Sequence, residues 1–177
     1  TVVALGDNEA SVQGSEFRIK LVRDPRFAAV ANDIVVEFGN SRYQDLVDRF
    51  TLGQEVSPES LRHVWQDTTQ AEYTWDLPIY QQLFQAVRDV NSSLQGSRKI
   101  RVLLGDPPIE WEKIHSLDDL KPWLNRDSFG AEVVRREVLA KGRRADCLWR
   151  AASCPSGDDS RAEYCWWNSG ATGKIGN

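Results

Sequence analysis

Three short apolar runs punctuate the chain, and stretches with a helical repeat of apolar positions separate them. The runs are Val2-Val3-Ala4-Leu5-Gly6, Ile34-Val35-Val36-Glu37-Phe38-Gly39 and Ile100-Arg101-Val102-Leu103-Leu104-Gly105. Each is rich in aliphatic residues and ends in Gly, the signature of a strand buried on both faces. Between the first two, Phe17, Ile19 and Leu21 predict a helix from about Ser15 to Val22, stopping before Asp24-Pro25. Ser41 is placed to cap a helix through Tyr43, Leu46, Val47 and Phe50, with Gly53 near its stop. Ser57-Pro58-Glu59 opens another, carrying Leu61, Val64 and Trp65. The clearest helix opens at Asp76-Leu77-Pro78, where Ile79, Leu83, Ala86, Val87, Val90 and Leu94 trace one face before Gly96. Ser116-Leu117-Asp118-Asp119 is a capping pattern before a short helix to about Leu124. A last helix starts at Asp127 or Ser128 and runs through Val133, Val134, Val138 and Leu139 to near Gly142. Strands alternating with helices predict an α/β fold: a parallel sheet of at least three strands, with right-handed crossover helices on its faces.

The pattern breaks near residue 145. Leu148 and Ile175 are the branched aliphatics left in the remainder, where all three cysteines and three tryptophans crowd among Ser, Gly and Arg. Asp146-Cys147-Leu148-Trp149-Arg150 reads as a poor strand. The expectation is therefore one domain over 1–145, lacking its natural C-terminal strands, and an atypical or disordered tail over 146–177. Back-translated one nucleotide out of register, this tail permits an aliphatic strand followed by a Gly-rich turn and a His. An out-of-frame reading of a fourth strand accounts for its composition.

Composition narrows the function classes. Of 177 residues 41% are hydrophobic and 27% charged, as in ordinary globular domains. A net charge of −4 disfavours a broad nucleic-acid or anionic-membrane surface, since both need clustered cations. Arg135, Arg136, Lys141, Arg143 and Arg144 form a local basic patch, read as a solvated helix end. No apolar run approaches membrane-spanning length. The sequence contains no Met, so a natural start and any targeting segment are expected to precede it. Cys147, Cys154 and Cys165 have spacings that suit neither a disulfide framework nor a zinc motif.

The candidate chemistry lies after the strands, because ligands of open parallel sheets bind beyond the carboxyl ends. Asp7 and Glu9 follow the first run, Glu37, Asn40 and Arg42 surround the end of the second, and Asp106 follows the third. Glu37 is the most informative. A charge inside an apolar run is costly unless paired, and Arg42 or a metal is the expected partner. Glu37, Asp7, Glu9 and Asp106 are the catalytic candidates, for general acid–base work. Asn40 and Arg42 are the substrate-binding candidates. Asp7, Glu37 and Asp106 are candidate ligands of a divalent cation. The expected partner is a small-molecule ligand or substrate. His63, within a helix, and His115, before a cap, read as surface or structural residues. Trp65, Trp75, Trp111 and Trp123 read as packing.

These segments resemble the erythromycin-esterase, ChaN and Tiki-like superfamily, in an uncharacterised bacterial branch. The resemblance covers roughly residues 2 to 144 and is strongest from Asn32 to Tyr43. The superfamily carries Gly-Glu-x-His after the first strand, a Glu after the second and Gly-x-His after a later one. Here Gly6 matches the first Gly, Asp7 stands for its Glu, Glu9 stands for its His, and Glu37 matches the second-strand Glu. The later Gly-x-His is absent. The resemblance implies an esterase-like hydrolase, a metal-dependent enzyme or a haem-binding module. The missing histidines also admit an incomplete, inactive domain.

Overall fold

A computed structural model describes residues 1–7, 11–70 and 74–150. The chain runs β1 (Val2–Asp7), α1 (Val12–Arg23), a short α2 (Phe27–Val30), β2 (Asp33–Asn40), α3 (Gln44–Thr51), α4 (Pro58–Gln66) and α5 (Pro78–Ser93). It continues through β3 (Arg101–Asp106), α6 (Leu117–Leu120), α7 (Arg126–Val133) and β4 (Ala145–Arg150). Beyond Val133, α7 widens into a π-helical segment, Val134–Leu139.

The described strands form one parallel sheet in the order β1-β4-β2-β3. Successive residues of a strand face opposite sides, so β2 feeds two cores. Ile34, Val36 and Phe38 join Val22, Phe27, Phe84 and Val87 in the larger one. Val35 joins Leu103, Cys147, Val133, Val134 and Val138 in the smaller one, under α7. The crossovers from β1 to β2 and from β2 to β3 run in one direction and lay α1, α3, α4 and α5 on one face. The return from β3 to β4 passes back over β2. With the same hand, it carries its helix, α7, to the other face.

Several sequence expectations change. The run Val2–Gly6 is a strand but not a buried one: among the described residues β1 pairs only with β4, and Val3 is 55% exposed. Asp146–Arg150, read as too poor in aliphatics to be a strand, forms most of β4 and occupies an interior slot of the sheet. Two parallel partners supply its stability, so aliphatic side chains matter less there than backbone pairing. Helix α1 starts at Val12, earlier than Ser15, because the Ser11 hydroxyl accepts from Gly14 N at 3.1 Å. After β2 the cap is Asn40, whose side chain accepts from Arg42 N, and not Ser41, whose buried hydroxyl has no hydrogen-bond partner. The expectation for residues 151–177 lies outside the described residues.

Other local readings hold. Ser57 caps α4 through Ser60 N, Pro78 opens α5, and Ser116 caps α6 through Asp119 N. Gly53 and Gly142 take φ of +96° and +63°, which suits them to end helices. Between β3 and α7 the chain makes a surface excursion, residues 107–125, whose three short helices bury no side chain. The basic residues at the other edge are largely ion-paired: Arg135 with Glu132, Arg136 and Lys141 with Glu137, and Arg143 with Asp33. No described helix is long and apolar enough to cross a membrane.

Candidate functional site

The chain leaves β2 toward one face of the sheet and β3 toward the other, so a crevice opens between their carboxyl ends. The register there is irregular. Val36 pairs with Leu104, but the next paired residue of β2, Asn40, meets Asp106. Glu37, Phe38 and Gly39 therefore bulge against a single residue of β3, Gly105. A Cβ on Gly39 would lie 2.5 Å from Leu104 Cδ2, so Gly is what lets the two strands close at this point.

The bulge carries Glu37 to Arg126, the first residue of α7. Arg126 Nη1 lies 3.2 Å from Glu37 Oε1, and its Nε donates to Asp106 Oδ1 at 2.6 Å. Asp106 also accepts from Thr69 N and Thr69 Oγ1, both at 2.7 Å. Glu37 is 3% exposed and Asp106 fully buried, so the guanidinium between them offsets a large desolvation cost. Burial pushes Asp106 above the ordinary carboxylate value, and the Arg126 and Thr69 bonds only partly counter it.

Two of the predicted acids therefore do come together, bridged by a cation that the sequence reading did not single out. The expected partner of Glu37, Arg42, instead reaches Glu112 at 2.8 Å and Glu110 at 3.4 Å on the surface. Asn40 is fully buried, and its Nδ2 donates to the carbonyls of Asp67 and Ile109 at 2.7 and 3.0 Å. Both bonds fasten loops to the end of β2. Asp7 ends β1 beside Arg150, with β4 between it and β2, about 10 Å from β2 by strand spacing. Its side chain, like Glu9, lies outside what the structure describes.

This arrangement does not fit a divalent cation between Glu37 and Asp106, where a guanidinium already lies. Among the described residues no three His, Cys, Asp or Glu side chains gather as a metal site requires. Neither histidine follows a sheet strand, so haem ligation at the strand ends would lack its imidazole.

A second cluster, missed in the sequence reading, stands beside the crevice. Asn40 and Asp106 pin the loop after α4 by Asp67 O and Thr69, and on that loop Asp67 meets two rings. Its Oδ2 lies 3.1 Å from His63 Nδ1 and accepts the Tyr43 hydroxyl. The Tyr43 and His63 rings are stacked, with centroids 6.2 Å apart. Burial, reinforced by the bond to Asp67, pushes the Tyr43 hydroxyl up to about 12, so it stays a donor. His63 is half exposed, and among the described residues its Nε2 has no protein partner. The legible signal was the spacing: His63 and Asp67 are four apart at the end of a helix. Of the four tryptophans read as packing, Trp65 and Trp75 are in the core, whereas Trp111 is 41% exposed.

No protein-family model, curated protein or solved structure matches this chain.

Proposed function

We propose that this domain hydrolyses an ester or similar bond in a small molecule, with His63 as the proton-transfer group on the rim of the β2–β3 crevice. The observation that carries this reading is the His63–Asp67 pair. In this reading the Nδ1 proton faces Asp67 Oδ2, 3.1 Å away, and Nε2 carries the lone pair. That division suits general base catalysis. Nε2 takes a proton from water as the water oxygen attacks the acyl carbon, and Asp67 balances the imidazolium that forms. Nε2 then returns the proton to the leaving oxygen as the tetrahedral intermediate collapses.

Glu37 and Asp106 take no part in proton transfer in this reading, contrary to the role expected for them from sequence. Their clamp on Arg126 holds β2, β3 and the start of α7 together, and Thr69 extends it to the loop that carries Asp67. Arg42 keeps its substrate-binding role as a cation on the same rim, its guanidinium 6.0 Å from the Tyr43 ring centroid. The net charge of −4 favours a small-molecule substrate over nucleic acid.

The test is hydrolysis of p-nitrophenyl acetate by the purified chain. H63Q should lower kcat/KM by about 100-fold, and D67N by a smaller factor. Turnover that survives H63Q at the wild-type rate discards the assignment.

A further inference from the structure

The dipeptide Asp67-Thr68 holds three rings. Tyr43 and His63 meet the Asp67 carboxylate, and the Trp111 indole Nε1 donates to Thr68 O at 3.0 Å. Trp111 belongs to the excursion 107–125 and remains 41% exposed. A large aromatic residue this open is ordinarily mobile, but this one is fastened by its edge to a loop that is itself pinned. Asp106 takes Thr69, Asn40 takes Asp67 O, and the neighbouring Ile109 is 1% exposed. A ring that is both exposed and immobilised has lost its conformational entropy before any ligand arrives. Flat rings stack on such a surface.

We infer that Trp111 is a stacking platform, and that the ester this site takes carries a planar aromatic ring on its acyl or alcohol side. The inference rests on the hydrolase reading for the bond that is cut, and on the Trp111 geometry alone for the ring. The Thr68 anchor places the platform one residue from the carboxylate that orients His63. The same excursion carries the exposed apolar side chains Leu117 and Leu124. A saturated ring of similar size offers the same apolar area but no π-face, which separates stacking from simple burial.

Two measurements test this. The first is turnover of benzyl acetate against cyclohexylmethyl acetate, whose leaving alcohols are both unactivated. The wild type should favour the benzyl ester about fivefold in kcat/KM through KM. W111L should bring the ratio near one, and W111F should retain most of it. The second is NMR of the full chain, with the Trp111 indole N–H signal assigned by its loss in W111F. Benzyl alcohol should move that signal to saturation in both the wild type and H63Q, and cyclohexylmethanol should move it much less. A Trp111 signal unmoved by benzyl alcohol overturns the platform. So does ester turnover that depends on His63 but shows no preference between the two rings. A saturable Trp111 shift in a chain with no esterase activity supports the ring site while removing the hydrolase reading.

Discussion

Arg126 is the side chain on which the crevice depends most. Its guanidinium lies between two buried carboxylates on different strands, and removing it leaves both charges without that partner. R126M should cost about 3–5 kcal/mol at neutral pH, read from urea denaturation. Asp146 on β4 makes the opposite case. It is 7% exposed, its Oδ1 has no hydrogen-bond partner, and burial raises it from 3.8 to about 6 despite the attraction of Arg18. A carboxyl whose folded value exceeds its unfolded one holds its proton in the folded state across that window. Its contribution to stability therefore falls as pH rises from about 4 to 6, then stays flat. D146N should stabilise the chain by about 1–3 kcal/mol at pH 7.5, with the gain gone near pH 4, in paired urea titrations of variant and wild type. At this scale the sequence was partly legible. A Glu in an apolar run and an acid after a strand were conspicuous, and both proved buried and paired. Their partner was not, because Arg126 lies 89 residues from Glu37 and only the fold brings it there.

At the scale of elements, local chemistry wrote most of the boundaries. The strands β2 and β3 and the helix α5 were readable from aliphatic runs, from Pro at a helix start and from the repeat of Leu83 and Val87. The strand β4 was not, because Asp146 and Cys147 are poor markers and its partners come from remote segments. The bulge in β2 was equally hidden, since register is a property of two strands together. Gly39 offers the test. Leu104 is 1% exposed and has little room to retreat from an added methyl group, so G39A should destabilise by about 1–3 kcal/mol in thermal or urea unfolding. A neutral result would mean that the two strands separate easily at the crevice.

At the scale of the whole molecule, the sheet order decides what is separable. The strand β4 lies between β1 and β2, so among the described residues β1 reaches the rest of the sheet only through it. A chain cut after Arg144 should lose more than one strand. β1 would have no partner, Val35 and Leu103 would lose Cys147 from their core, and Arg144 would no longer lead into β4. Circular dichroism of that fragment should show no cooperative unfolding transition, and a sharp melt near that of the full chain would contradict the role given to β4. Composition gives no sign of this dependence, because it signals where aliphatics thin out and not where a backbone is needed.

That interior slot also governs the order of events on the ribosome. When Arg144 emerges, β2 and β3 are free to associate, but the place between β2 and β1 is vacant and both flanking strands still offer unpaired amides. Until six more residues clear the exit tunnel β4 cannot join β1 to β2, so that junction forms only after both flanking strands have been made.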